Sequence, residues 1–218
     1  MKDEDNQGGQ RLHGPYIEEL FAKNEQSVES IQTISELQSL AMNDIKEEIK
    51  SLRDLASLNP NNALVIANHK LLSQDPDKEK TWFVTSTFEV TALYKWQIAG
   101  IGTFPGTLPK PLGFIFHDDG TGAAAGVFGC QVAGFFVVDP YEIANSDEYK
   151  TEHWDIGWVR AGRYRHETKV KGTGAGGATM KMWTDNGRFL CSLVGIAPGI
   201  GYIDVKDRGW IAWTGYKK

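Results

Sequence analysis

Near residue 81 the hydrophobic period of this 218-residue chain changes from helical to two. A helix-period stripe does not settle as a strand, and strict alternation does not settle as a helix, so the chain must be built from two unlike parts. Composition breaks at the same place. All seven Trp, both Cys and 21 of the 24 Gly lie at or after Thr81. Residues 1–80 carry 9 basic and 15 acidic side chains, against 14 and 13 in residues 81–218. The organisation expected is a disordered tail over 1–15, a helical arm over 16–80 and an antiparallel β-barrel domain over 81–218.

From Tyr16 to Leu58 there is neither proline nor glycine. Ile17, Phe21, Val28, Ile31, Met42, Ile45, Ile49, Leu52 and Ala56 recur at helical spacing, interrupted by Asn24, Ser35 and Gln38. Ser27 is placed to cap a helix from Val28, and Asn59-Pro60 to stop it. A shorter helix over Ala63 to Leu72 then folds back. Such a stripe packs on the body, pairs with a second copy or docks on a protein partner. Val28, Ile31, Ile45, Ile49 and Leu52 are the residues that would make that interface. The acidic polar face argues against the arm as a membrane-surface helix.

After the charged linker Gln74 to Lys80, residues Trp82 to Trp96 alternate and are rich in β-branched and aromatic types. This predicts one strand of about 15 residues, roughly 50 Å long if straight. Leu112 to His117, Val127 to Val138, Trp154 to Tyr164, Ala178 to Thr184, Phe189 to Val194, Ile200 to Val205 and Gly209 to Trp213 read as further strands. Asp185-Asn186-Gly187 between two of them is a hairpin signal. Lys206-Asp207-Arg208 reads as a turn, and Thr121 to Val138 as two strands bent near Gly129 or Gly134 rather than a membrane helix. About eight strands with short connections and no helix between them predict an α+β chain: a helical arm followed by an antiparallel barrel, with a sandwich as the alternative.

Candidates for chemistry are sparse. Gly172, Gly174 and Gly177 match G-x-G-x-x-G, but a strand-like run follows where a nucleotide site needs a helix, so a glycine turn is expected and no cofactor. Of the histidines, His117 beside Asp118, and His153 on the same strand face as Asp155, are the only weak catalytic candidates; they suit a small hydrolase or lyase working at the barrel rim. His166-Glu167 is a third pair, and polar side chains on the surface beside turns account for all three. No metal site is expected. Cys130 and Cys191 read as small buried hydrophobes rather than a disulfide framework.

Aromatic residues give a different signal. Trp154, Trp158, Trp210 and Trp213 exceed what one barrel core needs, so some are expected to touch a protein, a membrane surface or a carbohydrate. A net charge of −5, with no block of basic residues, argues against nucleic acid. Met1 to Gln10 lacks the pattern of a secretory signal, so the expectation is a cytoplasmic protein, a mature form, or export by a signal-independent route.

Thr184-Asp185-Asn186-Gly187-Arg188-Phe189-Leu190, followed by Gly195-Ile196-Ala197-Pro198-Gly199-Ile200-Gly201, resembles the closing hairpin and final strand of the virulence-associated proteins of pathogenic actinobacteria. Gly126-Val127-Phe128-Gly129 is similar too, and the likeness covers about a third of the chain. The resemblance implies a compact eight-stranded antiparallel barrel behind an N-terminal arm, secreted and non-enzymatic, acting on host phagosome maturation and membranes. It implies no catalytic residues. The reading that follows is a binding protein; the alternatives are the rim enzyme and a carrier of a lipid or small ligand in an open barrel.

Overall fold

From Ile31 on, the helical spacing of the arm is realised as a helix, and the part of its stripe from Ala41 to Leu52 is buried on the chain's own body. A computed structural model describes residues 31–74, 80–92, 95–105, 112–122, 124–174 and 176–215. Helix α1 spans Ile31–Leu58. Ala41, Ile45, Ile49 and Leu52, spaced by four, four and three, are buried, as a helix face applied to a sheet requires. They meet strands β4 (Ala124–Phe136) and β8 (Phe189–Ile196). Ser192 Oγ donates to Asp44 Oδ2 at 3.1 Å, and Lys181 Nζ lies 3.5 Å from Glu48 Oε2. Of the expected arm interface, Ile45, Ile49 and Leu52 therefore join the barrel's core cluster. Val28, its Ser27 cap and the expected tail over 1–15 lie outside the described residues.

The expected helix over Ala63 to Leu72 is two short ones, α2 (Ala63–Ala67) and α3 (His69–Leu72). Asn62 Oδ1 caps α2 by accepting from the Leu64 amide at 2.9 Å. The break falls at Asn68, whose buried side chain donates to the Gly187 carbonyl at 2.9 Å and accepts from the Phe189 amide at 2.8 Å. The arm is thereby bolted to the turn between β7 (Gly176–Thr184) and β8.

Eight strands close a wholly antiparallel barrel in the order β1-β2-β3-β9-β6-β7-β8-β4, with β4 returning to β1. They are β1 Trp82–Ala92, β2 Trp96–Thr103, β3 Gly113–Gly120, β4, β6 Gly157–Gly174, β7, β8 and β9 Gly199–Thr214. A short β5, Lys150–Trp154, extends β6 outside the ring. β9 is shared: Gly199 to Ile203 pairs with β4, Trp210 to Thr214 with β3, and β6 runs along its other edge.

Side chains fill the interior. Phe104, Phe114, Phe136, Tyr149 and Trp213 form one ring cluster, with Phe104–Phe136 centroids 4.9 Å apart and Phe114–Trp213 5.5 Å. Phe88, Phe116 and Tyr164 continue it. The two thiols are free, buried and six residues out of register, because Cys191 faces Phe136 and not Cys130. Burial drives the Cys130 pKa up to about 12 and that of Cys191 well above its ordinary value.

Five expectations are corrected. The single long strand over Trp82 to Trp96 is the β1–β2 hairpin, in which Ala92 faces Trp96. Paired residues share a sheet face and three residues separate these two, so the period of two stays in phase from β1 to β2. Thr121 to Val138 does not bend into two strands but holds the single β4, where Gly134 lets the β8 backbone come close. Trp154 to Tyr164 is broken by a turn at Asp155-Ile156. Lys206-Asp207-Arg208 does not turn, because β6 pairs continuously with β9 from Arg160 to Gly174. Finally, Asp139-Pro140 opens a helix, α4 (Pro140–Ala144), in which Asp139 Oδ1 accepts from Tyr141 N at 2.9 Å.

Candidate functional site

Alternation on β6 turns Tyr164, His166 and Thr168 inward and Arg163, Arg165 and Glu167 outward. Inside, His166 Nε2 lies 2.7 Å from Asp118 Oδ2 of β3, and His166 Nδ1 lies 2.8 Å from Thr168 Oγ1. β9 separates β3 from β6 in the sheet. Gly209 of β9 makes the crossing feasible, since a Cβ there would sit 2.8 Å from Asp118 Cβ. Tyr164 stacks on the imidazole at 5.4 Å, and Trp96 meets it edge-on at 6.2 Å. Burial, then the Asp118 charge, raises the Tyr164 pKa well above its usual value.

A hydroxyl, an imidazole and a carboxylate in this order are the parts of a nucleophile relay. Here the His166 and Asp118 side chains are 0% and 6% exposed and Thr168 is fully buried. The trio links β3 to β6 from inside the barrel, and His166 also borders the cleft described below. Pairing His166 with its neighbour Glu167 misses it, and so does placing Asp118 in a turn; the informative sign is a polar residue at an inward position of an alternating strand.

The weak catalytic candidates are not brought together. His117 stands half-buried on β3, its Nε2 3.1 Å from Gln97 Nε2. His153 sits edge-on to Trp158 at 5.0 Å. Asp155 is in the β5–β6 turn, so the expected shared strand face with His153 does not exist. Register sets His117 level with Arg163, and His153 level with Trp158, five residues away along β6 and on the opposite sheet face. Among the described residues no three His, Cys, Asp or Glu side chains are grouped to hold a metal ion.

The four aromatic candidates divide. Trp213 is a core ring and is corrected from the binding set. Trp154 is half-buried over Val159, Ala161 and Ala212, its Nε1 donating to Glu152 Oε2 at 2.9 Å. Trp158 and Trp210 are exposed, and the Arg163 guanidinium lies 5.2 Å from the Trp210 ring centre.

The outer face of β7, β6 and β9 carries side chains in level rows. Trp183, Arg165 and Arg208 form one row, and Lys181, Glu167 and Lys206 the next. Burial pushes the Glu167 pKa up, but hydrogen bonds from Lys206 at 2.8 Å and Lys169 at 3.0 Å outweigh it and hold the carboxyl below its usual range. Above the first row, Asp185 Oδ1 faces Arg208 Nε at 3.6 Å and Arg165 Nε at 4.0 Å. Glu48 of α1 and Leu64 of α2 wall this face, leaving a cleft of about 580 Å³.

At the glycine-rich end of the barrel the outer face turns apolar. Val127 of β4 and Ile200 of β9 are cross-strand partners, yet they are 62% and 72% exposed. Tyr202, two residues further along β9, is also exposed, with Lys171 opposite it, and so is Ile196 of β8, level with Gln131 four residues along β4 from Val127. The Tyr202 hydroxyl donates to Asp204 Oδ2 at 3.1 Å, which raises its pKa.

These features define a closed eight-stranded antiparallel barrel with a docked N-terminal helix, an aromatic-filled interior that holds the buried Asp118–His166–Thr168 trio, and a differentiated outer surface. Comparison with family models, with curated proteins and with solved structures finds no match.

Proposed function

We propose that this chain is a non-enzymatic binding protein that works from its outer surface, and that it applies its apolar rim to a lipid surface. The observation that carries this is the Val127–Ile200 pair: two cross-strand aliphatic residues left open to water where a soluble barrel gains by covering or replacing them. Ile196 is a further exposed aliphatic residue of the outer surface, opposite Gln131 of β4. Tyr202 and Lys171 border it, an aromatic and a cation at the level where a membrane presents its headgroups. The net charge of −5 opposes a purely electrostatic attachment, so the aliphatic contact must supply the affinity.

An aromatic-filled interior supports this reading over a carrier, and the dispersed histidines support it over a rim enzyme. The resemblance to the virulence-associated proteins points the same way, and an exported, host-directed effector acting at membranes is part of the proposal. Flotation with vesicles of phosphatidylcholine, alone or mixed with phosphatidylserine, tests it. The protein floats with vesicles, and Val127→Ser/Ile200→Ser binds about tenfold less or weaker still, as expected for the loss of two inserted aliphatic side chains. Failure of the unaltered protein to float with either composition, or equal binding by the variant, defeats the lipid reading.

A further inference from the structure

The cleft between the arm and the barrel is separate from the apolar rim and has its own chemistry. Two guanidinium groups on adjacent strands, Arg165 and Arg208, stand level and turn toward one carboxylate, Asp185. Both Nε–Oδ1 separations, 4.0 and 3.6 Å, are too long for hydrogen bonds, and Arg165 Nε and Asp185 Oδ1, though shielded from water, have no hydrogen-bond partner. Asp185 offsets one of the two positive charges without filling the planar fork that guanidinium offers to a carboxylate. Trp183 completes the row on β7 and lines the cleft beside them.

The remaining lining decides what kind of anion belongs there. Arg165, Arg208 and Lys206 stand against Glu48, Glu167 and Asp207 of the lining and against Asp185 beside it, one more acid than base by formal charge. A phosphate dianion gains nothing from such a balance. A ligand with one carboxylate, a body rich in hydroxyls and a flat apolar ring face uses every part: the arginines take the carboxylate, Glu48 and Asp207 accept from hydroxyls, and Trp183 stacks on the ring. The volume of about 580 Å³ lies in the range of small-ligand sites and holds one or two sugar rings.

We propose that this cleft is a binding site for an acidic sugar of the uronate type, its carboxylate bridging Arg165 and Arg208 and its ring lying on Trp183. Titration of the full chain with methyl glucuronide, methyl glucoside and inorganic phosphate, read by calorimetry and by tryptophan fluorescence, tests it. The glucuronide binds saturably and changes the emission, while the glucoside binds about tenfold more weakly or worse, the cost of losing a charge-assisted pair. Arg165→Gln/Arg208→Gln lowers glucuronide affinity by about the same factor, while vesicle flotation and the thermal midpoint stay as in the unaltered protein. Both arginines are substantially exposed, so the variant keeps the fold. Equal binding of glucuronide and glucoside, absence of glucuronide binding, tighter binding of phosphate, or an unaffected double variant each overturns the proposal.

Discussion

His166 Nε2 and Asp118 Oδ2 lie 2.7 Å apart across a strand to which neither belongs. The contact ties β3 to β6 over β9, where β9 has left its pairing with β4 and is about to meet β3. Backbone pairing is thinnest there, so the side-chain contact substitutes for a missing stretch of ladder. Removing one partner strands the other in the barrel interior. Asp118→Leu is expected to cost about 3–5 kcal/mol in urea unfolding, and Asp118→Leu/His166→Leu less than the sum of the two single substitutions. Additive losses would show that the pair acts as two independent fillers.

Asn68 plays the corresponding part for the arm. It is 1% exposed and makes three side-chain hydrogen bonds, to the Gly187 carbonyl, the Phe189 amide and the Leu64 carbonyl. Asn68→Ala leaves the first two barrel groups without their partner. A loss of about 2–4 kcal/mol is expected from two to three buried bonds. Limited proteolysis separates this from a general loosening, since cleavage should rise first near Asn59 to Asn62. Uniform acceleration across the barrel would contradict Asn68 as the arm's bolt.

Much of this architecture was legible in the chain because its signals are local. The stripe of Ile45, Ile49 and Leu52 and the Asp185-Asn186-Gly187 turn need only their own neighbourhood to be read. The β1–β2 turn was hidden because Ala92 and Trp96, as cross-strand partners, share a face and keep the alternation in phase. The charged run Lys206 to Arg208 looked like a turn, since its role as an outer row depends on β6, more than thirty residues earlier. The same holds for the sites. His153 and Asp155 are neighbours in sequence only and His117 is near neither, whereas Asp118 meets His166, and Trp183 meets Arg165 and Arg208, through a register that no single segment specifies.

Two glycines of β4 are expected to respond oppositely to alanine. A Cβ on Gly134 would run into the Ser192 carbonyl of β8, a backbone atom that cannot swing aside. Gly129 faces outward with nothing within 4 Å of its Cβ position. Gly134→Ala should therefore destabilise by about 2 kcal/mol or more, because two strands must separate, while Gly129→Ala should be neutral or stabilise by up to about 1 kcal/mol through reduced freedom of the unfolded chain. Thermal midpoints of both proteins decide it; a tolerated Gly134→Ala would mean that β4 and β8 are not packed at this spacing.

Glu142 joins three elements: Lys70 of α3 donates to it at 2.6 Å, and Arg188, after the β7–β8 turn, at 3.3 Å. The hydrogen bond from Lys70 is the main cause holding the Glu142 pKa below the 4.5 of the free side chain; burial opposes it, and the charges of Arg188 and Lys70 add to the lowering. A depressed carboxyl stabilises the fold fully above its unfolded value and ceases to do so as pH falls through the lower folded value. The group is 44% exposed, so solvent screening keeps the effect under about 1 kcal/mol. Glu142→Gln should accordingly show a slightly lower urea midpoint at pH 7 and pH 6. The gap to the unaltered protein should close as pH drops below the free value and through the lower folded one. A gap that widens on acidification would mean that the carboxyl is destabilised in the fold, and that Lys70 and Arg188 do not hold it.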